Sequence, residues 1–513
     1  MKGRAQSYIE AIFSSVIWTL LDRATALLKH VIIASTLGLG IELDVFYMTV
    51  SLIGLFVFSW SKIADVMAVP ELVKLHMAGK SQEARAFTGD LFTLSVIFSG
   101  VLGTIVTWTW PILIKLAWGF DAERMAYLET TIHWAGPLVF LYIPIKMLYS
   151  FAKAQRRFSI AYRNEFLIAI TILVCMVTYP TTKGVMIWSY SLGVSLAFCL
   201  TVLSLRGSIR WLGSPFSASI KRLLPMIPSL LFIYGAQYVY ALIDRQFVSF
   251  LPQGAVSAVA YGWTLINIVP ELLRLDGPFI TVYAEASRES AEKILKLNQL
   301  ISASISAGVL MTFLIFGFSE EAVGLFLERG NFSRDNTLMV ASCTANFAFA
   351  IIPILLIGPI GQIFQVENRL KLVAKRILFG LFLNAIFGFI FMFIFEWGPK
   401  GVALATSLSQ WGMLITSLSS MARLGLQVDF KRHFQWLLLM TTAALMALIA
   451  LYPLRQLNLA YWMIIPNGAA FLAVAAWPIL LLRRQDSRLA RELVKRALAR
   501  FQPTAKRSAA NSQ

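Results

Sequence analysis

The sequence predicts an all-α, polytopic membrane protein of about 14 transmembrane helices, built as two pseudo-symmetric six-helix lobes plus two C-terminal helices. Three observations carry this expectation. First, the 513 residues are 58% hydrophobic and 14% charged, whereas a soluble domain carries about 25% charged residues. Mean hydropathy is +0.70. A surplus this large cannot be hidden in one water-soluble core, but lipid accepts it. Second, the apolar residues fall in long unbroken runs such as 377–395. A helix needs ~20 apolar residues to cross a hydrocarbon core ~30 Å thick. A β-barrel would show strict alternation over strands of about 10 residues. Third, the chain carries traces of an internal duplication, set out below.

Spans are expected near 10–37, 43–68, 86–117, 128–152, 158–179, 184–205, 223–250, 255–283, 297–317, 336–364, 372–396, 401–422, 433–453 and 459–482. Charges interrupt the first two of these and the seventh and eighth. The stretch that opens near Tyr8 lacks a small-residue cleavage site and runs on into a span, so it reads as a helix rather than a signal peptide.

The loops alternate in charge. One set is basic: Lys74, Lys80 and Arg85; Lys153, Arg156 and Arg157; Arg206, Arg210, Lys221 and Arg222; Lys293 and Lys296; Arg369, Lys371, Lys375 and Arg376; Arg423, Lys431 and Arg432. The other set, including 38–42, 179–184 and 396–401, is short and nearly neutral. The positive-inside rule puts the basic set in the cytoplasm. Both termini are then cytoplasmic, which requires an even number of spans, and the expected location is the bacterial inner membrane. The net charge of +18 is accounted for by this topology, so no nucleic-acid partner is implied. The tail 483–513 is strongly basic. Leu489, Leu493, Val494, Leu498 and Phe501 would share one face of a helix there, which would either lie on anionic headgroups or simply stop the last span.

An offset of 214 aligns His30 with Asp244, Gly40 with Gly254, Tyr47 with Tyr261 and Glu71 with Glu285. An offset near 210 aligns Ile143-Pro144 with Ile352-Pro353 and Gln155 with Gln365. Duplicated halves are common in transporters. The expected division is an N-terminal lobe over 1–222, a C-terminal lobe over 223–430, two helices over 431–482 and the tail. An even number of helices per copy gives both lobes the same orientation, with a cavity between them.

Ionisable groups within spans cost at least ~2.5–3.5 kcal/mol each and usually face a cavity or a partner. The first two spans carry Arg23, Lys29, His30, Asp44, Lys62 and Asp65; the seventh and eighth carry Asp244, Arg245, Glu271, Arg274 and Asp276. These are corresponding helices of the two copies. The other spans are mostly clean, apart from Lys146 and Glu165. One reading is a hydrated chamber whose cations, Arg23, Lys29, Lys62, Arg245 and Arg274, hold an anionic substrate together with Asp44. His30, Asp244 and Glu271 would then be coupling or cavity acids, His30 through an imidazole with an unperturbed pKa of about 6.5. The other reading pairs these groups internally, Glu271 with Arg274 for example, or lets them snorkel from span ends. Gly38, Gly40, Pro225, Pro228, Pro270 and Pro278 interrupt the same helices, as bending elements or as static kinks.

No metal cluster, dinucleotide fingerprint or Ser-His-Asp set is evident, and Gly79-Lys80-Ser81 lacks the earlier glycine of a phosphate loop. No cofactor and no enzymatic reaction are expected. Cys175, Cys199 and Cys343 read as buried, inert thiols.

Several segments resemble one family. Leu242 to Tyr261 (LIDRQFVSFLPQGAVSAVAY) is similar to the seventh-to-eighth helix junction of the MurJ/MviN lipid II flippases. Leu327 to Phe332 (LERGNF) resembles that family's loop before the tenth helix. Asp22 to Tyr47, with Arg23, Lys29, Gly38, Gly40 and Asp44, resembles its first hairpin, and Gly401 to Gln410 (GVALATSLSQ) the start of its twelfth helix. The likeness runs from about residue 10 to 480. It implies the fold of the multidrug, oligosaccharide-lipid and polysaccharide exporters, with two six-helix lobes in a V. It also implies a flippase that moves an undecaprenyl-diphosphate-linked saccharide from the cytoplasmic to the periplasmic leaflet.

By position, Arg23, Lys29 and Asp44 match charged family positions. Lys29 stands where the family has arginine and His30 where it has aspartate. The family's paired arginines of the second helix fall at Val57 and Phe58, leaving Lys62 as the nearest basic residue. Its arginine and glutamate of the eighth helix fall at Thr264 and Asn267, with Arg274 further along. A lysine replaces a point charge but not a bidentate clamp. The substrate is therefore either lipid II or another envelope unit such as that of an exopolysaccharide, and envelope glycosyltransferases or a polymerase are conceivable partners. Two alternatives stand beside this: a cation-coupled multidrug exporter of the same superfamily, relying on Asp44, Asp244 and Glu271, and a non-transporting scaffold of an envelope synthesis complex.

Overall fold

The computed structural model describes residues 8–273, 290–367, 369–426, 428–455 and 463–476. The expected site residue Arg274 and the basic tail lie outside this set, as does the side chain of Arg23. No strand occurs among the described residues. The helices are α1 (Tyr8–Leu37), α2 (Ile41–Val57), α3 (Trp60–Met77), α4 (Ser81–Trp108), α5 (Ala122–Thr131), α6 (Gly136–Ala154), α7 (Phe158–Thr178), α8 (Val185–Leu205) and α9 (Ile227–Ser249). They continue with α10 (Ala255–Leu273), α11 (Ser290–Leu327), α12 (Arg334–Phe347), α13 (Ile351–Val366), α14 (Leu370–Phe389), α15 (Pro399–Arg423), α16 (Phe430–Arg455) and α17 (Ile464–Ala475), apart from isolated single turns.

Each expected span contains helix, because each apolar run satisfies its backbone internally. Nine helical stretches among the described residues are long and apolar enough to cross a membrane. The other five expected spans fall on α1, the α2–α3 pair, α10, α15 and α17.

Irregularities within the spans have local causes. The second span is interrupted at Phe58 and Ser59, where Phe58 closes α2 by donating its N–H to the Gly54 carbonyl at 3.0 Å. A Cβ on Gly54 would lie 2.8 Å from the Tyr238 ring, so glycine is what lets that ring seat there. The fourth and tenth spans share one break. A 3₁₀ turn, Ile132–Ala135 in one and Ala348–Ala350 in the other, precedes the helix carrying the Ile-Pro pair. α11 overruns its expected span at both ends and kinks at the non-helical Phe318.

The chain packs as two compact units. The first comprises Met1–Tyr261, Phe326–Val340 and Asn384–Val402; the second comprises Gly262–Leu325, Ala341–Leu383 and Ala403–Gln513. In the first, α1 runs along α7, α7 along α8, and both α3 and α4 along α6, while α9 packs against α2. Trp60, Ile63, Met67 and Leu72 of α3 meet Phe87, Leu91, Met147 and Phe151 in its core.

In the second unit α16 packs on α17. Arg376, assigned by sequence to a basic loop, is buried there. It donates to the Ile357 carbonyl at 3.2 Å and the Ser417 hydroxyl at 3.4 Å, beside Gly361, which has no side chain to exclude it. His433 Nε2 lies 2.7 Å from Asn298 Oδ1. One cysteine expectation is corrected: Cys175 and Cys343 are buried but Cys199 is exposed. An apolar run in lipid needs no buried face, so membership of such a run does not imply burial. Trp108, Phe382, Leu438 and Ile449 are likewise exposed.

Candidate functional site

Within the first unit, cations and aromatic rings form one connected cluster. Lys146 on α6 pairs with Glu165 on α7. Its ammonium lies 4.8 Å from the centre of the Tyr142 ring and 5.0 Å from that of Tyr149. Residues 142, 146 and 149 are spaced by four and three, so one face of α6 presents all three. Tyr142 meets Phe58 edge-on at 4.6 Å. Phe58 also touches Tyr238 at 6.0 Å and Tyr190 at 6.3 Å. Tyr190 leads through Phe46 to Tyr47, at 6.5 and 5.3 Å.

There the cluster reaches its second cation. The Arg245 guanidinium, on α9, sits 5.4 Å from the centre of the Tyr47 ring. It donates to the Tyr47 carbonyl at 2.6 Å and to the Ser51 hydroxyl. Arg245 forms no salt bridge among the described residues and is held by neutral acceptors, while the neighbouring Asp244 carboxylate, itself bonded by Asn384, attracts it at longer range. Tyr47 also meets Tyr261 at 6.2 Å, and Tyr261 meets His30 at 5.9 Å. Tyr47 and Tyr261 are the repeat-related pair. His30 Nδ1 and the Tyr261 hydroxyl are buried without a hydrogen-bond partner. Buried polar atoms are nearly always satisfied, so this end of the cluster has bonding capacity to spare.

A second polar group ties together the near-neutral loop ends. Asp44, fully buried, accepts from the Gly254 N–H at 2.7 Å, the Ser257 N–H at 2.8 Å and the Ser257 hydroxyl at 2.5 Å. It thus caps the start of α10 from α2. The Arg124 guanidinium stands 3.8 Å from it and donates to the Ser249 carbonyl at 3.2 Å. Glu42 accepts from the Gly184 and Met186 N–H groups, both at 2.9 Å, and from the Tyr127 hydroxyl. The Asn331 N–H donates to the Ser35 carbonyl at 2.8 Å. At the surface, Asp121 caps α5. Its carboxyl lies below the ordinary carboxylate range, chiefly through the Arg124 N–H at 2.8 Å.

The expected residues are placed as follows. Arg245 and His30 join the cluster, with Lys29 half-buried next to His30. Lys62 is exposed on α3. Asp44 caps α10. Asp244 is buried and accepts from the Asn384 amide at 2.9 Å. Glu271 is exposed at the end of α10. Arg23 has no described side chain. Sequence reasoning noted Lys146 and Glu165 as charges in clean spans, but missed the tyrosines around them. It also missed Glu42 and Arg124, which read as loop-end residues.

Comparison with known proteins bears on this site. The family model described as lipid II flippase MurJ matches residues 33–467. A probable lipid II flippase MurJ of Rhizobium tropici is 23% identical over 462 residues, 83% of this chain and 82% of its own length. Its counterpart in Aquifex aeolicus is 23% identical over 290 residues, 54% of this chain, and the chain spans about half of that relative, 56%. Among solved structures, a lipid II flippase MurJ in an inward closed conformation superposes with TM-score 0.73 at 19% identity, over 92% of this chain and 99% of that one. A multidrug resistance MATE family transporter of the MOP superfamily, inward-facing, gives 0.58 at 14% identity, over 81% and 98%. At these identities the two structures speak for the fold. With the family match extending over most of its length, the chain belongs to the lipid II flippase MurJ family.

Proposed function

We propose that the protein moves a saccharide linked to a polyprenyl diphosphate from the cytoplasmic to the periplasmic leaflet of the bacterial inner membrane. The observation that carries this reading is Arg245, a cation set among rings and bonded directly to neutral acceptors, with no salt bridge among the described residues. A planar guanidinium suits a diphosphate because it can offer two parallel N–H donors to one anion. Tyrosines 47, 142, 190 and 238 add flat apolar faces and hydroxyls, which fit a sugar's C–H faces and its own hydroxyls. Lys29, Lys62 and Arg23, with Arg274 of the second copy, belong to this proposal as further cations along the path. The lipid tail needs no polar site and can stay in the bilayer.

A drug exporter is the second reading, favoured by the MATE-like fold. It would need free carboxylates to hold cationic drugs. Asp44 is already engaged by three donors and Asp244 by Asn384, which weighs toward the lipid-linked substrate.

The test is complementation of a strain depleted of its own lipid II flippase. Rescue by the wild-type chain and failure by Arg245→Ala, at equal membrane abundance, is the expected result for a lipid II substrate. Failure of the wild type would direct the same assay to an exopolysaccharide export mutant. Activity only in gradient-driven drug efflux would overturn the proposal.

A further inference from the structure

The second face of α3 raises a separate question. One stripe of this helix, Ile63, Ala64, Met67, Ala68 and Leu72, is buried in the core. The other, Val66, Val69, Pro70, Val73 and Met77, recurs at helical spacing and is equally apolar, yet it is exposed or only half-buried among the described residues. It forms one wall of an open groove of about 820 Å³, completed by Asp65, His76, Lys153, Ala154, Gln155, Arg156 and Phe158.

The groove changes character along its length. Its wall along α3 is hydrocarbon, with Val66 and Val73 each 37% exposed and Met77 85% exposed. Its end, where α6 gives way to α7, is cationic. The Lys153 ammonium is neutralised by Asp65 at 2.7 Å, which also accepts from the Ser150 hydroxyl at 2.7 Å. Arg157 turns away to the Ser204 carbonyl at 2.8 Å and the Ser208 hydroxyl at 3.2 Å. Arg156 is left exposed; its backbone N–H donates to the Lys153 carbonyl at 2.9 Å, but its side chain has no hydrogen bond or ion pair among the described residues. It holds a left-handed backbone, φ 59°, which costs an L-residue ~1–2 kcal/mol and which glycine would adopt freely. The net charge of the groove is therefore positive, and it resides on one residue that the local backbone does not favour. The histidine is occupied, its Nδ1 lying 2.6 Å from the Leu72 carbonyl.

We propose that this groove seats an anionic phospholipid of the cytoplasmic leaflet, with an acyl chain along the Val66–Met77 stripe and the headgroup phosphate against Arg156, beside Lys153. Basic pockets between spanning helices on the cytoplasmic side bind such headgroups. The groove's shape fits the class: an apolar wall ends at a positive charge, as an acyl chain ends at a phosphate. The leaflet follows from the loop-charge reading of topology and does not depend on the flippase proposal.

Native mass spectrometry of the full-length protein, released from membranes and titrated with phosphatidylglycerol, phosphatidylethanolamine or a polyprenyl phosphate, tests this. Arg156→Gly removes the charge while relieving the backbone, so the fold is retained. Val69→Trp fills the groove and leaves the charge. Phosphatidylglycerol binding should fall about fivefold in Arg156→Gly, the effect of one juxtamembrane cation. It should also fall in Val69→Trp, with phosphatidylethanolamine unchanged in both. Wild-type phosphatidylglycerol affinity in both variants would overturn the assignment. So would a loss confined to the polyprenyl phosphate, which would give the groove to a transported lipid instead. The readout is lipid retention, so failed flipping with intact retention would count against the transport proposal alone.

Discussion

Asp44 accepts three hydrogen bonds where no water reaches, so the first effect of changing it falls on stability. Asp44→Ala strands the Gly254 and Ser257 donors at the start of α10 and leaves Arg124 without its nearest carboxylate. An expected loss of about 2–4 kcal/mol follows, since each stranded buried donor costs ~1–3 kcal/mol. Thermal unfolding in detergent measures it, and an unchanged Tm would show that the cap contributes little. Asp121 acts at the surface and through pH. Its folded pKa is depressed, so its contribution is fully present above the unfolded value of about 3.9 and is lost as pH falls through the lower folded value. Asp121→Asn should therefore lower Tm at neutral pH and leave it nearly unchanged in strong acid, where the wild-type carboxyl is protonated too, so the acid side of a Tm-against-pH curve flattens. What sequence shows at this scale is that a charge lies inside a span. Whether the charge caps a helix, as Asp44 does, or faces rings, as Arg245 does, depends on residues some 200 positions away, and no local pattern carries that.

Helices were the most legible elements, because hydropathy over twenty residues integrates a large signal. Their breaks were not. Neither Phe58 nor Ser59 is a helix-breaking residue, and the Tyr238 ring that lies against Gly54 beside the interruption comes from a distant part of the chain. The tyrosine cluster escaped notice for a similar reason: its members come from α2, α6, α8, α9 and α10, and in a chain that is 13% aromatic no single one stands out. Glycine at Gly330 is the opposite case, where a family-like motif coincides with a backbone requirement. Its φ is +58° and a Cβ there would run into the Ser35 carbonyl. Reciprocally, a Cβ at Gly38, φ +60°, would lie 2.5 Å from the Asn331 carbonyl oxygen. Gly330→Ala should cost at least ~1–2 kcal/mol from the left-handed backbone alone. It should also loosen the Asn331–Ser35 bond, seen as faster amide exchange at Asn331. Unaltered exchange and Tm would refute the close-approach account.

For the molecule as a whole, the membrane class was readable because composition decides it. The division of the chain into compact units was not. α9, which opens the expected C-terminal lobe, lies in the same compact unit as α2, where Arg245 bonds to α2 and Gly254 and Ser257 bond to Asp44. Alignment offsets are blind to such polar ties. The cations have distinct tasks at this scale. Lys146 is charge-balanced by Glu165, whose side chain is 39% exposed, so solvent screens the pair and removing Glu165 should cost about 1 kcal/mol or less. Arg245 forms no salt bridge among the described residues, but it ties α9 to α2, so its removal should affect transport beyond whatever stability the lost bonds to α2 cost, which the Tm comparison separates.

The most direct measurement is translocation of a polyprenyl-diphosphate-linked saccharide in proteoliposomes by the wild type, Arg245→Ala and Arg245→Lys, each checked for equal Tm. The expected result is at least a tenfold loss of rate in Arg245→Ala and partial recovery in Arg245→Lys, which restores the charge but not the paired donors. Wild-type rates in a well-folded Arg245→Ala would contradict an anion-binding role for this cluster.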